Sequence, residues 1–198
     1  MIVIGVDLAG SERNPTGMCI LRDLKIETKI VYTDEEIIDL IKSHGKALIA
    51  VDAPLSIPKG RKSIDERSNI HFRKCDKELL KRRIKFFPIT LGPMRKLTKR
   101  GIKLKEKLLE LGFEVIEVYP GGAQDILRIP RKTRGKEKLL EGLRKLGLKG
   151  LSKTMTHHEL DAVTAALVGK LYLEGNYEAF GDPSEGLIIM PKPIKRLK

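Results

Sequence analysis

The sequence predicts a mixed α/β fold in which helices flank one sheet, and two observations support this class. Short apolar runs bounded by turns occur along the chain together with longer segments in which apolar residues recur at helical spacing. The first three runs are joined by tight turns and the later ones are separated by helical segments, so an antiparallel meander leads into crossover connections. The 198 residues suffice for one sizeable core. We expect a single domain over residues 1–198 with a basic insertion at about residues 57–96.

Three strands form the predicted N-terminal meander. Residues 1–8 are almost entirely apolar and are typical of a buried strand. The turn sequence NPTG at residues 14–17 leads into a second strand at residues 18–23. Residues 25–33, KIETKIVYT, alternate polar and apolar side chains, which predicts a third strand with one exposed face.

A helix and a central strand follow the meander. The helix begins at Thr33 or Asp34, either of which can cap its first turn, and it ends at Gly45. Residues 46–56, KALIAVDAPLS, are apolar nearly throughout. A run of this kind is typical of a strand that is buried on both faces, so this fourth strand is expected at the centre of the sheet.

The second half of the chain alternates helices with further strands. The sequence FEVIEVYPGG predicts a fifth strand within residues 113–122, which completes a five-stranded sheet. A short edge strand and a basic end are expected after Glu185. The predicted helices lie near residues 72–85, 98–111, 123–129, 135–148 and 156–175.

The net charge of +13 is concentrated in one segment of the chain. Residues 59–107 contain 18 Lys or Arg against 5 Asp or Glu, and the remaining residues balance. A localised basic segment favours a polyanionic partner, above all nucleic acid. The alternative is the lysine-rich surface of a thermophilic protein, although such surfaces usually mix charges of both signs.

Other features of the composition indicate a cytoplasmic protein without a membrane partner. No apolar run is long enough to cross a bilayer, and we find no signal-peptide pattern. Cys19 and Cys75 are too few for a disulfide framework. We therefore expect the protein to work in a reducing compartment.

Four acidic residues stand out because each lies next to or within an apolar segment. Asp7, Asp52 and Glu117 lie at or near the ends of the first, fourth and fifth predicted strands. Asp161 lies in a helix that is apolar on nearly every side, and a buried carboxylate is costly unless it is paired or bound to a metal. The alternatives are a turn-stabilising role for the two strand aspartates and an ion pair for Glu117.

Motifs along nearly the whole chain carry a resemblance to a known family. The chain resembles the uncharacterised family numbered 429 among domains of unknown function, whose members are described as predicted nucleases of ribonuclease-H fold. Its last helix is similar to the final catalytic helix of the Holliday-junction resolvases of that fold. The matching stretches are GVDLAG, VDAPLS, RKCDKEL, RRIKFFP, RGIKLKEKL, GFEVIEVYPGGAQ, HHELDAVTAAL and GDPSEGLIIMP.

The resemblance implies a ribonuclease-H-like fold with a site for two divalent ions, Mg²⁺ or Mn²⁺. By analogy Asp7 would bridge both ions, Asp52 would hold one, and Asp161 would close the site from the last helix. Glu117 would lie two strand spacings from the first strand, as a direct ligand or as a group that acts through water.

One histidine is expected to assist at this site. His158 occupies the position that matches the family's HELDA motif, and it could protonate a leaving oxygen, orient a water or bind phosphate. The alternative is a solvent-facing histidine at the start of a helix. Glu159 is expected to be structural, because Thr156 and Glu159 are in capping-box register.

The basic segment supplies the expected contacts to nucleic acid. Phe86 and Phe87 lie among basic residues, where they would either stack on bases or belong to the core. Lys132 and Arg134 lie beyond the fifth strand, where a solvated loop is expected and contact with the substrate is the alternative. The residues predicted to contact nucleic acid are Arg73, Arg82, Arg83, Lys85, Arg95, Lys99 and Arg100.

Together these observations favour a metal-dependent nuclease that hydrolyses phosphodiester bonds of DNA or RNA. One alternative is a nucleic-acid-binding protein without catalytic activity. A less favoured alternative is a nucleotide-phosphate-binding protein of the actin-like or sugar-kinase type, because the turn DAPLS contains no glycine for a phosphate loop. The oligomeric state stays open, and cleavage of junctions would favour a dimer.

Overall fold

A mixed seven-stranded sheet forms the centre of the computed structural model, which describes residues 1–194 and residue 197. The strands are β1 (Ile2–Asp7), β2 (Thr16–Arg22), β3 (Lys25–Val31), β4 (Ala47–Asp52), β5 (Glu114–Val118), β6 (Tyr177–Asp182) and β7 (Gly186–Pro191). Their order across the sheet is β3-β2-β1-β4-β5-β7-β6. The helices are α1 (Asp34–Ser43), α2 (Lys74–Lys81), α3 (Gly92–Glu110), α4 (Pro120–Ile126), α5 (Lys136–Leu146) and α6 (His157–Leu173).

The sheet confirms the predicted meander and corrects the predicted strand count. Strands β1, β2 and β3 pair in antiparallel order, and β4 and β5 follow in parallel on the other side of β1. The prediction of five strands is wrong, because β7 adds in parallel to β5 and β6 pairs with β7. The C-terminal strand is therefore internal, and β6 forms the edge. The predicted basic end falls partly on residues 195, 196 and 198, which lie outside the described residues.

Alternating side chains of the strands separate two apolar layers. Ile4 and Val6 of β1 pack with buried residues of α1 and α3, such as Ile37 and Leu104, on one face of the sheet. Val3 of the same strand packs on the opposite face, together with the apolar residues of α6. This alternation follows from the two-residue repeat of a strand, and it assigns each strand residue to one of the two faces.

Helix α6 lies unusually close to the sheet because glycines lie beneath it. A Cβ atom on Gly5 of β1 would fall 2.1 Å from the carbonyl oxygen of Ala162. A Cβ atom on Gly17 of β2 would fall 2.2 Å from the carbonyl oxygen of His158. Only glycine fits such an approach. The two glycines thus let the first turns of α6 reach the ends of the central strands.

Helix boundaries differ from the predictions where proline or capping chemistry decides them. Helix α3 begins at Gly92 instead of Thr98, because Pro93 is well suited to the first turn of a helix. Helix α6, by contrast, begins as predicted, with the capping box between Thr156 and Glu159.

Within residues 1–194 and 197, no helix has both the length and the apolar character that a membrane crossing requires.

A candidate metal centre at the carboxyl ends of the central strands

Two aspartates meet at the ends of neighbouring parallel strands. Asp7 of β1 and Asp52 of β4 are directly paired in the parallel register, and each is the last residue of its strand. Paired residues of neighbouring strands point to the same face of a sheet. For Asp7 and Asp52 this is the face covered by α6, because Val3, Leu48 and Ala50 of the same alternation pack there.

Helix α6 adds a third carboxylate to this pair. Asp7, Asp52 and Asp161 each offer a carboxylate oxygen, and these three oxygens lie within 4.8 Å of one another. Asp161 is 4% exposed and is oriented by two neighbours. Gln124 Nε2 donates to its Oδ1 at 3.0 Å, and Lys132 Nζ lies 2.5 Å from its Oδ2. The structure thus brings together three of the four predicted acids.

The crowding of the three carboxylates raises the pKa of two of them. Burial raises the pKa of Asp52 well above its ordinary value, and the neighbouring charges of Asp7 and Asp161 raise it further. Burial also raises the pKa of Asp161, although the ammonium group of Lys132 opposes this shift. Lys132 and the nearby His158 supply at most two positive charges against three carboxylates, so the fully ionised centre has an excess of negative charge that a bound cation would relieve.

The donor set fits a hard divalent cation. Mg²⁺ and Mn²⁺ prefer carboxylate and water oxygens, and the centre offers oxygens from three different aspartates and no sulfur. The three carboxylates come from two strands and one helix. The packing of α6 on the sheet holds these carboxylates in place relative to one another. These residues therefore match the metal that the resemblance implies.

His158 lies at the border of this centre. Its Nδ1 is 2.7 Å from Asp7 Oδ2, and its side chain is 43% exposed. The hydrogen bond to Asp7 raises the pKa of His158, against the opposing effect of burial. The histidine predicted from the HELDA motif is thus in contact with a predicted metal ligand and is also accessible from solvent.

Glu117 lies outside the group of three, and the reason is its strand register. Glu117 of β5 is paired with Val51 and not with Asp52, so it points to the other face of the sheet. Its oxygens accept hydrogen bonds from Arg73 Nη1 at 2.7 Å and Nη2 at 2.8 Å, and from the Leu55 amide at 2.8 Å. The structure therefore contains the ion pair that was the alternative for Glu117. Glu117 nevertheless lines the same cavity as Asp7 and Asp52, so its role towards a metal stays a prediction.

Arg73 is part of the same buried ion pair, and this corrects its predicted contact with nucleic acid. Its guanidinium also binds Asp76 and the Ser56 hydroxyl, and the residue is 1% exposed. Because three side chains already engage its guanidinium, Arg73 has little free surface for a phosphate contact. The Arg73–Glu117 pair instead attaches the start of α2 to β5.

Arg100 is the second predicted contact that the structure places in the interior. It is 7% exposed, and its guanidinium binds Asp34, the Ala9 carbonyl and the Tyr32 carbonyl. Because all of its nitrogens are engaged by these groups, Arg100 joins α3 to the turn that follows β1 and to the start of α1. Its prediction as a nucleic-acid contact is wrong.

The other basic residues predicted to contact nucleic acid differ in their exposure and in whether they already form an ion pair. Arg82 and Lys99 are about half exposed and form ion pairs with Glu178 and Asp65. Arg95 donates from Nε to the Thr90 carbonyl. Arg83 and Lys85 are exposed and form no ion pair within residues 1–194 and 197. Only part of the basic segment therefore remains available for a polyanion.

Two residues of the centre were not predicted from the sequence. Lys132 was expected in a solvated loop, with contact to the substrate as the alternative, and its ion pair with Asp161 was not predicted. Gln124 lies on α4 and donates to both Asp161 and the Thr164 hydroxyl. Two signals were available: Gln124 is the sole glutamine of the chain, and it is the last residue of the family stretch GFEVIEVYPGGAQ. Loop conformation decides the position of Lys132, and no periodic pattern reports it.

The carboxylates open into a cavity of about 300 Å³ with a largely apolar wall. Asp7, Asp52 and Lys132 line it together with Phe86 and Phe87. Phe86 packs edge-on against Phe72, with ring centroids 6.2 Å apart, whereas Phe87 is 71% exposed. Phe86 therefore fits the alternative of a packed residue, and Phe87 fits the alternative of an aromatic side chain that is free to contact a ligand.

Comparisons with known proteins agree with the predicted family and fold. The family model described as "Protein of unknown function (DUF429)" matches residues 5–186. RuvC of Thermus thermophilus in complex with a Holliday-junction substrate matches with a TM-score of 0.54 and 15% identity, covering 88% of this chain and 96% of that one. Another structure of Thermus thermophilus RuvC matches with a TM-score of 0.50 and 16% identity, at the same coverage. No curated protein matches the chain. At such identities the likeness shows the ribonuclease-H-like fold.

Proposed function

The chain belongs to the DUF429 family, whose function is unknown, and from this premise we propose that it is a divalent-metal-dependent nuclease. The observation that carries the proposal is the convergence of Asp7, Asp52 and Asp161 at the carboxyl ends of the central strands. The fold is also similar to that of RuvC, and one of the matching RuvC structures contains a Holliday-junction substrate. This similarity supports an activity on nucleic acid. The substrate class proposed is nucleic acid, and the bond cleaved is a phosphodiester.

The three aspartates would hold the divalent ions. When bound, such ions activate a water for attack on the phosphorus and neutralise charge on the leaving oxygen. Asp52 and Asp161, whose pKa values are raised, would bind the ions only after losing their protons. The affinity for metal should therefore increase with pH.

His158 and Lys132 would act on the substrate beside the carboxylates. Asp7 holds His158 Nδ1, so Nε2 is the ring atom that can hand a proton to the leaving oxygen. Lys132 already lies in the cavity and carries a positive charge near Asp161. Its ammonium group is therefore placed where it would pair with a phosphate of a substrate that enters the cavity.

A second candidate is a nucleic-acid-binding protein without catalytic activity. The ion pair between Lys132 and Asp161 favours it, because this pair neutralises part of the centre without metal. In that case the carboxylates would have a structural role, and a divalent ion would bind weakly.

Cleavage assays with a matched pair of variants separate these functions. We would incubate the protein with labelled single-stranded, duplex, hybrid and branched DNA and RNA, in Mg²⁺ or Mn²⁺. Asp7→Asn removes one predicted ligand, and Asp39→Asn, at an exposed position of α1, is the control. We expect metal-dependent cleavage that Asp7→Asn abolishes and Asp39→Asn retains. Cleavage that survives Asp7→Asn would overturn the proposal, and salt-sensitive binding without cleavage by any protein would favour the second candidate.

A further inference from the structure

A groove lies next to the carboxylate centre and is formed by two segments that each follow a short helix. Residues 83–87 follow α2, and residues 128–134 follow α4. We call the space between them the arginine groove. Phe86, Phe87 and Tyr119 line both this groove and the cavity of the carboxylate centre. The groove therefore leads directly to the proposed site of cleavage.

The arginine groove carries an excess of positive charge. Arg83, Lys85, Arg128 and Arg134 line it, and all four are exposed. Within residues 1–194 and 197 none of them forms an ion pair with a carboxylate. The acidic residue of the groove, Asp125, is bound by Arg131 through two hydrogen bonds of 2.9 and 2.5 Å. Four cations thus remain for a polyanion.

Apolar and aromatic side chains lie between these cations. Phe87 is 71% exposed, which is unusual for an aromatic residue without a partner. The Arg131 guanidinium lies 5.7 Å from the centre of the Tyr119 ring, and the Tyr119 hydroxyl donates to the Lys85 carbonyl. Leu80, at the rim, is 51% exposed. The groove thus combines charge with flat apolar surface.

The backbone at two of the arginines has an unfavourable conformation. All six α-helices end at or just before a residue in the left-handed region, and four of these residues are glycines: Gly45, Gly112, Gly147 and Gly175. The other two are Arg83, with φ of 59°, and Arg128, with φ of 56°. Both of these arginines line the same groove.

Hydrogen bonds show that the two helix ends share one motif. After α2, the Arg83 amide donates to Leu80 and the Ile84 amide donates to Leu79. After α4, the Arg128 amide donates to Asp125 and the Ile129 amide donates to Gln124. This is the Schellman motif, whose left-handed position is usually glycine because a side chain there is strained. Strained residues of this kind cluster at binding sites.

We infer that the arginine groove binds a single-stranded stretch of nucleic acid and leads it to the carboxylate centre. The cations would follow the phosphates, and Phe87 would stack on an unpaired base. A duplex would not use Phe87, because its bases are already stacked within the helix. This inference rests on the proposed function. It specifies the substrate of the proposed nuclease: nucleic acid whose bases are unpaired next to the bond that is cleaved.

The test measures binding without cleavage, by fluorescence anisotropy in EDTA. The probes are labelled single-stranded DNA, single-stranded RNA, the matching duplexes and a polyglutamate peptide. Arg83→Asn and Arg128→Asn together remove two charges and keep a residue that tolerates the left-handed region. Phe87→Ala removes the aromatic face. The controls are Lys107→Asn and Leu109→Ala, at exposed positions of α3, which packs on the sheet face opposite to α6.

We expect the single strands to bind about tenfold more tightly than the duplexes. Comparing the affinities of the DNA probes with those of the RNA probes shows which nucleic acid is preferred. Phe87→Ala should weaken single-strand binding by about tenfold. The arginine pair should reduce the slope of log affinity against log salt by about 1.4, since each phosphate contact to a single strand contributes about 0.7. Neither control should change the affinity.

Three results would overturn the inference. The first is binding of duplex that equals or exceeds binding of single strand. The second is single-strand binding that neither Phe87→Ala nor the arginine pair weakens. The third is binding of the polyglutamate peptide that is as tight as binding of the single strands. Because these measurements need no metal, they are independent of whether Asp7→Asn abolishes cleavage. A failed nuclease assay with selective single-strand binding would overturn the proposed function alone.

Discussion

Asp7 and Asp52 are directly paired across the parallel strands β1 and β4, so two carboxylates meet at adjacent strand ends. Asp161 of α6 adds a third within 4.8 Å. Such an arrangement destabilises a protein without a cation, because like charges repel and burial removes water from them. The stability of the protein should therefore report directly on the function of the centre.

Asp52→Asn should stabilise the metal-free protein at neutral pH. The pKa of Asp52 is raised in the folded state, so its charged form costs stability at pH values above its unfolded pKa. Removing the charge should increase the free energy of unfolding by about 1 kcal/mol at pH 8. The gain should disappear as the pH falls towards the unfolded pKa, about 3.9, since both forms are then neutral.

Urea denaturation in EDTA at several pH values measures this effect, with Asp39→Asn as the control. A loss of stability in Asp52→Asn at pH 8 would contradict the assignment of unfavourable charge to the centre. Added Mn²⁺ should raise the midpoint of thermal unfolding of the wild-type protein more than that of Asp52→Asn, because a ligand stabilises the state that binds it.

Glu117→Gln should destabilise the fold and leave the response to metal intact. It removes the carboxylate that accepts hydrogen bonds from both terminal nitrogens of Arg73 and leaves Asp76 as the countercharge, which costs about 2 kcal/mol. Asp7→Asn should show the opposite pattern, with a small change of stability and no stabilisation by Mn²⁺. Thermal unfolding of both variants, with and without Mn²⁺, distinguishes the structural acid from the proposed ligand. If folded Glu117→Gln loses the stabilisation by Mn²⁺, Glu117 is itself a metal ligand.

Gly5→Ala should separate α6 from the sheet and disturb the centre. Its new Cβ atom would lie 2.1 Å from the Ala162 carbonyl oxygen and 2.5 Å from the Ala166 amide nitrogen, so α6 must move. We expect a loss of about 3 kcal/mol in the free energy of unfolding and a weaker Mn²⁺ response, because Asp161 moves with the helix. Gly92→Ala is the control, since no atom lies within 4 Å of its added Cβ. Equal stability of the two variants would contradict the packing described here.

Arg83→Gly and Arg128→Gly should each stabilise the protein by about 0.5–1 kcal/mol while weakening binding to nucleic acid. Glycine adopts the left-handed conformation without the strain of a side chain, although part of the gain is offset by the greater freedom of the unfolded chain. Gly112→Arg is the reciprocal control and should lower stability by a similar amount. Chemical denaturation of the three variants tests this directly. A decrease of stability in both arginine variants would show that the side chains stabilise these helix ends.

The local pattern of the sequence determined most of the elements and the chemistry at their ends. Apolar runs and turns were sufficient to predict β1 to β5 and the meander, and the apolar surroundings of Asp161 marked it as a costly carboxylate. The match to the HELDA motif was sufficient to single out His158, whereas its contact with Asp7 joins residues 151 positions apart in the chain. Apart from that contact, these features depend on neighbours in sequence, so a pattern reports them.

Only the tertiary structure decided which of the charged residues share a surface. Register turned Glu117 to the opposite face from Asp52, because one residue of shift reverses the side of a strand. Long-range ion pairs buried Arg73 and Arg100, which composition alone counted as available cations. The path of two loops brought Lys132 to Asp161 and placed the segments after α2 and α4 side by side. Such contacts join residues far apart in the chain, and no local pattern records them.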